Sequence, residues 1–175
     1  ITNGSAEVVG LMMARVMALP DESFEYARLL GRAFQYLNII RDVKEDIEMG
    51  RVYIPIDEIH KTGFDKLTLT SADENTEAFN KLIHRQIDYY KKWYAEAVNG
   101  YKYIPKRYLI AIKTASDMFD LTASIIYADP KVIMKRKVKP NKLTIISKGI
   151  QNFITVTLSN QNTSSKEPIT DMEKP

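Results

Sequence analysis

The sequence contains no cysteine among its 175 residues, which excludes disulfide bonds and thiolate metal sites. Because this absence is typical of a reducing compartment, we expect a cytoplasmic protein. No apolar run approaches the roughly 20 residues of a membrane-spanning helix, and we expect no signal peptide. The formal net charge is only +3, which is too small to indicate a nucleic-acid-binding protein.

Helical periodicity is present along most of the chain. Apolar residues recur every three or four positions in residues 5–18, 22–48, 72–98, 106–128 and 141–157. With 45% hydrophobic residues, the chain can bury one core, so we expect a single all-α domain over residues 1–158. The polar tail, residues 159–175, is predicted to be disordered. The first helix is predicted to be buried, because Val8, Val9 and Met12 belong to an apolar set that covers most of its circumference.

A file of polar side chains lies along the second predicted helix. At about 100° per residue, its four members fall within about 80° of arc; they are Gln35, Asn38, Asp42 and Asp46. Amide and carboxylate oxygens at this spacing are neighbours on one helix face and suit magnesium, which takes oxygen ligands.

Two interpretations of this file remain open from spacing alone. Most acidic pairs at this spacing are simply solvated, whereas like charges one turn apart are mildly destabilising without a counter-ion. Arg51 and Tyr53, just beyond Gly50 at the predicted helix end, favour a metal–phosphate site.

Two glycines interrupt the helical patterns. Gly10 costs about 1 kcal/mol relative to alanine inside a helix, so we expect close approach there by another helix or by a substrate. Gly31 lies on the same stripe as Gln35 and Asn38, where a missing side chain leaves room for a ligand.

The central stretch resembles the second aspartate-rich motif of the squalene and phytoene synthase family. The residues that carry the resemblance are Gln35-x-x-Asn38-Ile39-x-Arg41-Asp42-x-x-x-Asp46-x-x-x-Gly50-Arg51-x-Tyr53-x-Pro55. The preceding run, Gly4 to Met13, resembles the helix before that motif in archaeal-type phytoene synthases, and the resemblance extends to about residue 150. It implies a prenyl-synthase-like helical bundle around an apolar cavity, of which this chain would be the C-terminal part, without the N-terminal half.

The resemblance also implies an activity and a set of roles. The activity is magnesium-dependent head-to-head condensation of two prenyl diphosphates, most simply geranylgeranyl diphosphate to phytoene, with manganese as a possible substitute. Metal ligands would be Asp42, Asp46 and Asn38. Diphosphate would be gripped by Arg41, Arg51 and Arg136. Tyr53 would orient the leaving group and act with Asp42, Asp46 and Arg41 in catalysis, while Gln35, Gly10 and Gly31 would contact substrate.

Other features depart from the family's pattern or offer competing explanations. Phe119 stands where the family commonly has tyrosine, and Asp117 with Asp120 lacks the surrounding motif, so we place that pair outside the site. The basic cluster from Lys131 to Lys142 is a solvated face, a cationic flap over diphosphate, or a patch that contacts anionic membrane lipid peripherally.

Three functions therefore remain in view: a phytoene-type synthase or its squalene-type counterpart, a non-catalytic module that binds a prenyl lipid or protein partner, and a membrane-surface adaptor. The sequence has no second Asp-x-x-x-Asp pattern besides Asp42 and Asp46. We therefore expect the chain alone to self-associate and not to turn over.

Overall fold

The computed structural model describes residues 4–158. This part is built from nine α-helices and two short 3₁₀ segments, and it contains no strand. The helices are α1 (Ser5–Val16), α2 (Phe24–Arg41), α3 (Val43–Glu48), α4 (Ile56–His60), α5 (Leu69–Glu74), α6 (Thr76–Ala97), α7 (Lys106–Ala128), α8 (Val132–Lys135) and α9 (Lys142–Leu158). The predicted all-α class is confirmed. The predicted tail, residues 159–175, lies outside the described residues.

The core forms where α2 and α7 pack against the long helix α6. Apolar residues of α6 at helical spacing are completely buried, as the periodicity predicted; they are Phe79, Leu82, Ile83, Ile87 and Tyr90. Ile40 of α2 and Ile126 of α7 are buried beside them. At about 25 cal/mol for each square ångström of apolar surface buried, this cluster is the main source of stability.

The predicted single helix over residues 22–48 is interrupted at Asp42. There the backbone has φ −98° and ψ 10°, and α2 ends while α3 begins one residue later. Neighbouring side chains in a regular helix do not face each other, but here the guanidinium of Arg41 contacts the carboxylate of Asp42. The hydrogen bonds from Asp42 N to Asn38 O and from Asp46 N to Asp42 O still carry the chain onward in nearly the same direction.

The prediction that α1 is a buried helix was wrong for the described part of the chain. Of its twelve residues only Ala14 is buried, and Val8, Val9 and Met12 are each more than half exposed. The physical reason is that α1 packs mainly on α2, and one neighbouring helix covers only one side of another.

Two glycines bring α1 and α2 together. A Cβ on Gly10 would lie 2.2 Å from the carbonyl oxygen of Ala27, and one on Gly31 would lie 2.2 Å from that of Ala6. Each glycine therefore packs directly on the backbone of the other helix. Arg32 adds an ion pair across the same contact, with Nε 2.7 Å from Glu7 Oε1.

The last helix, α9, packs on α7 through a polar contact. Asn152 is 2% exposed, and its Nδ2 donates to Asp117 Oδ2 at 2.8 Å. The opposite side of α9 exposes apolar residues that include Leu143, Ile146 and Phe153. No helix in residues 4–158 is both long and apolar enough to cross a bilayer; the peripheral membrane contact suggested above stays a prediction.

Candidate functional site

An apolar groove runs along the α1–α2 contact and adjoins a polar pocket. The groove encloses about 460 Å³, and its apolar lining includes Val9, Met13, Leu30 and Phe34. The adjoining pocket encloses about 290 Å³. Three residues line both spaces, namely Ser5, Gln35 and Asn38. The two spaces therefore adjoin at these residues, with an apolar end and an acidic end.

The acidic pocket contains the whole polar file that the sequence singled out. Its polar lining is formed by Ser5, Gln35, Asn38, Asp42, Asp46 and Tyr53. Gln35 and Asn38 come from α2, and Asp42 follows its last residue. Asp46 projects from α3, Tyr53 lies in the next loop, and Ser5 comes from the start of α1. Helical spacing thus places the amides and carboxylates together even though the helix is interrupted at Asp42.

Asp42 is held by two cations. Arg41 Nε donates to Oδ1 at 2.9 Å and Nη2 to Oδ2 at 2.8 Å, while Lys137 Nζ lies 3.2 Å from Oδ1. Burial by itself raises the pKa of the Asp42 carboxyl, but the hydrogen bonds and charges of Arg41 and Lys137 outweigh burial and hold that pKa below its usual value. Asp42 is therefore an anion whose charge is already compensated by the protein.

Asp46 has a different environment. Its carboxylate has no ion-pair partner within residues 4–158. Burial raises the pKa of Asp46, and the nearby negative charge of Asp42 raises it further, while the charge of Arg51 opposes both effects. A carboxylate that has no ion-pair partner and lies beside another acid is a place where a cation would bind favourably.

A basic pocket lies on the other side of Asp42. It encloses about 210 Å³, and five cationic side chains line it, Arg41, Lys44, Lys135, Arg136 and Lys137, together with the acidic Glu45 and Glu48. The structure therefore places Arg41 and Arg136 in this basic pocket, next to the acidic pocket and not inside it. Arg51 lines a third, narrow crevice with Asp46 and Tyr53.

The glycines predicted as substrate contacts have a structural explanation of their own. Gly10 and Gly31 both line the apolar groove, so a role in contacting substrate stays a prediction. Of the two explanations offered for Gly10, close helix contact is the one that the geometry supports directly, since a Cβ there would collide with backbone. Gly31, expected to leave room for a ligand, leaves room for α1 in the same way.

Phe119 stacks on Phe34 with ring centroids 4.0 Å apart. The contact joins α7 to the helix that carries the polar file, and Phe34 also lines the groove. Asp117, which we placed outside the site, accepts a hydrogen bond from Asn152 and lines neither the groove nor the acidic pocket.

Two residues at the site were not predicted from the sequence. Ser5 lines both spaces, and Lys137, treated only as one member of a basic cluster, contacts Asp42 directly. The polar residue at the start of α1 was the available signal for Ser5. No local pattern distinguishes Lys137 from the other lysines around it.

The donor set of the acidic pocket fits magnesium. Carboxylate and amide oxygens are the ligands that this ion prefers, and it usually takes one or two carboxylates and completes its shell with phosphate oxygens and water. Within residues 4–158 no group of three or more His, Cys, Asp or Glu side chains could hold a metal ion by itself. A magnesium ion that arrives with a phosphate-bearing ligand would bring further oxygen ligands with it.

Known proteins resemble this chain over most of its length. The family model described as squalene/phytoene synthase matches residues 2–144. A 15-cis-phytoene synthase from Pantoea ananas is 36% identical over 115 residues, covering 65% of this chain and 37% of that protein. A presqualene diphosphate synthase from Rhodopseudomonas palustris is 42% identical over 59 residues, covering 33% of this chain and 21% of that protein. The chain thus spans well under half the length of these relatives.

A solved structure shares the fold. The squalene synthase HpnC from Alicyclobacillus acidocaldarius superimposes with a TM-score of 0.60 at 22% identity, over 80% of this chain and 51% of that one. At this level of identity the likeness concerns the fold alone. It agrees with the prenyl-synthase-like helical architecture expected from the sequence.

Proposed function

This chain belongs to the squalene/phytoene synthase family, and on that premise we propose that it acts in the head-to-head condensation of two prenyl diphosphates, with geranylgeranyl diphosphate as substrate and phytoene as product. Divalent magnesium is the proposed cofactor, with manganese as a substitute. The observation that carries the proposal is that an apolar groove of about 460 Å³ adjoins an acidic pocket of about 290 Å³ at Gln35 and Asn38.

The two ends of this space match the two ends of a prenyl diphosphate. The isoprenoid chain is apolar and gains free energy from leaving water, whereas the diphosphate is a polyanion that needs metal ions and cationic side chains around it. A groove lined by Val9, Met13 and Leu30 fits the first part. The acidic pocket with its basic neighbour fits the second.

In this proposal Asp42, Asp46 and Asn38 hold the metal. The chemistry that magnesium would supply there is neutralisation of the negative charge of the diphosphate. Arg41, Arg51 and Arg136 bind diphosphate oxygens by charge-assisted hydrogen bonds, and Gln35 contacts substrate. Tyr53, which lines the same pocket as Asp42 and Asp46, orients the leaving group.

The groove performs a second task in the reaction. Loss of diphosphate leaves an allylic carbocation, which water would capture. The apolar lining excludes water from that end of the site. The aromatic residues Phe34, Tyr26 and Tyr101 also line the groove, and aromatic rings attract cations.

Phytoene is preferred over squalene on the evidence of relatives. The proteins similar to this chain include phytoene synthases from Pantoea ananas and Pseudescherichia vulneris, the latter at 37% identity over 115 residues. A presqualene diphosphate synthase is also among them, so the squalene branch is the alternative.

The test is calorimetry with geranylgeranyl thiodiphosphate, a substrate analogue whose diphosphate cannot leave. We expect magnesium-dependent binding by the unchanged chain. Asp42→Asn and Asp46→Asn should each weaken it by at least about tenfold, because loss of a metal-site carboxylate or its support typically costs that much or more. Helicity should hardly change, since both side chains face the pocket and not the core.

Asp117→Asn is the matched control, since it removes the same charge from an aspartate outside the site. It should bind the analogue like the unchanged chain. Metal-dependent affinity that is unaltered in both pocket variants would refute the proposed site. Binding of the analogue without any magnesium dependence would favour the non-catalytic lipid-binding alternative.

The same assay distinguishes the branches. Each methylene buried is worth about 0.8 kcal/mol, so the C20 analogue should bind more than tenfold tighter than the C15 farnesyl analogue. Equal or tighter binding of the farnesyl compound would refute geranylgeranyl diphosphate as the substrate and phytoene as the product.

A further inference from the structure

Asp42 connects the acidic pocket to the basic pocket through its two ion-pair partners. It lines the acidic pocket, but its cationic partners Arg41 and Lys137 line the basic one. Lys137 is shared, because its Nζ lies 3.2 Å from Asp42 Oδ1 and 2.6 Å from Glu45 Oε2. The result is a chain of alternating charges, Arg41, Asp42, Lys137 and Glu45, along the boundary of the two pockets.

Both carboxylate oxygens of Asp42 are engaged in this chain. Oδ1 accepts a hydrogen bond from Arg41 Nε and lies close to Lys137 Nζ, and Oδ2 accepts a hydrogen bond from Arg41 Nη2. A metal ion that used the same oxygens would face the two positive charges at close range. Asp46, by comparison, has no ion-pair partner in the part of the chain that the structure describes, so it is open to a cation.

Arg41 and Lys137, the two cations that hold Asp42, also line a pocket that suits a second anion. The basic pocket that they line contains three further cations, Lys44, Lys135 and Arg136, against two glutamates. An anion entering there would provide Arg41 and Lys137 with a new partner and would weaken their hold on Asp42. An anion and a metal ion would then help each other to bind, because each removes an obstacle to the other.

We propose that Lys137 is a positioning residue that competes with the metal for Asp42, so that the metal binds tightly only together with a diphosphate. Arg41 has the same opposing effect, but it is also proposed to bind substrate, which makes Lys137 the clearer probe. The inference rests on the proposed function, since it assumes that Asp42 is a metal ligand. It also gives the binding an order. The metal alone binds weakly, and the anion then weakens the hold of Arg41 and Lys137 on the Asp42 carboxylate.

The experiment measures manganese binding to the purified chain by electron paramagnetic resonance, first with the metal alone and then with inorganic pyrophosphate. Lys137→Met should bind manganese alone at least about fivefold tighter than the unchanged chain, the order of magnitude expected for removal of one partly exposed charge contact. Pyrophosphate should tighten manganese binding by the unchanged chain, and it should do so by a clearly smaller factor in the variant.

Lys135→Met is the matched control. Lys135 lines the same basic pocket and carries the same charge, but its partner is Asp129 at 3.8 Å and not Asp42. Its substitution should leave the affinity for manganese alone within about twofold of the original value, as should Lys137→Arg, which preserves the cation. Lys137 is partly exposed, and circular dichroism checks that each variant keeps its helicity.

The outcomes separate the two levels of the argument. Equal manganese affinities for Lys137→Met and Lys135→Met would overturn the competition, because only general charge would then matter. A chain that binds no manganese with or without pyrophosphate, in any variant, would overturn the metal site and the proposed function together. Tighter binding confined to Lys137→Met supports the inference.

Discussion

Replacing Gly10 with alanine tests how closely α1 and α2 must approach to form the groove. The added Cβ would lie 2.2 Å from Ala27 O, whereas ordinary contacts begin at 3.4 Å. The neighbour is backbone in the first turn of α2, so no side chain can rotate away. The helices must separate locally by about 1.2 Å, the difference between these two distances.

Two opposing terms decide the size of the effect. Overpacking of a well-packed contact costs about 1–3 kcal/mol, whereas alanine is favoured over glycine inside a helix by up to about 1 kcal/mol. The expected net loss in the free energy of unfolding is about 1–2 kcal/mol. For a chain of this size, that corresponds to a melting temperature lower by about 2–8 °C.

Urea denaturation followed by far-UV circular dichroism measures the change, and Gly149→Ala is the control. Gly149 also lies inside a helix, but the nearest atom to its Cβ would be Thr114 Cγ2 at 3.9 Å. This control should gain up to about 1 kcal/mol, since the favourable helix term acts without a clash. A Gly10→Ala variant as stable as Gly149→Ala would refute the close contact.

Gly31→Ala should behave like Gly10→Ala, because its Cβ would lie 2.2 Å from Ala6 O in the same helix contact. One separation of the helices relieves both clashes. The double variant should therefore lose less stability than the two single losses added together. Additive losses would show that the two glycines act at independent contacts.

Two further substitutions test ion pairs and polar contacts away from the site. Glu58 is 8% exposed and lies 2.7 Å from Lys61 Nζ and 3.0 Å from Arg85 Nη2, so Glu58→Gln should cost about 1–3 kcal/mol in urea denaturation at neutral pH. The hydrogen bond from Lys61 is the main reason that the pKa of Glu58 lies below its usual value, despite burial. The loss in the free energy of unfolding should therefore be complete above the unfolded pKa of about 4.3. It should shrink as the pH falls through the lower pKa of Glu58 in the folded state. A loss that stays constant down to acid pH would contradict this. Asn152→Leu removes the hydrogen bond to Asp117 and should lower the free energy of unfolding by about 1–3 kcal/mol. Amide hydrogen exchange in α9 should become faster in this variant but not in Gln151→Leu, which changes an exposed residue. Equal exchange in both variants would show that this hydrogen bond does not hold α9.

The sequence allowed the polar file to be predicted because its members are neighbours along one helix. Gln35, Asn38 and Asp42 are three or four residues apart, and hydrogen bonds to backbone continue across the interruption at Asp42. The buried side of α6 was predictable for the same reason, since one helix face meets the core. Spacing along the sequence is therefore sufficient to predict which side chains are neighbours when all of them lie on one helix.

Contacts between distant segments could not be predicted in this way. Lys137 reaches Glu45 across 92 residues of sequence, and six basic residues of its cluster, from Lys131 to Lys142, look alike in the sequence. The pairing of Arg41 with Asp42 was also hidden, because side chains one residue apart face each other only where the helix is interrupted. The exposure of α1 depends on which neighbours cover it, a property that its own apolar pattern does not contain.

The groove and the acidic pocket behave as one structural unit because α2 forms a wall of both. Gly31 fixes the distance between α1 and α2, Gln35 lies one turn further along, and Asn38 lies about two turns along, where the acidic pocket begins. Ser5, at the start of α1, lines both spaces from the opposite helix. Any side chain added at the glycines must therefore widen the apolar end and displace the polar file together. In the proposed function, the small residues of α1 and α2 and the carboxylates beyond them would serve one requirement, which is to hold the apolar chain and the diphosphate of the substrate in line.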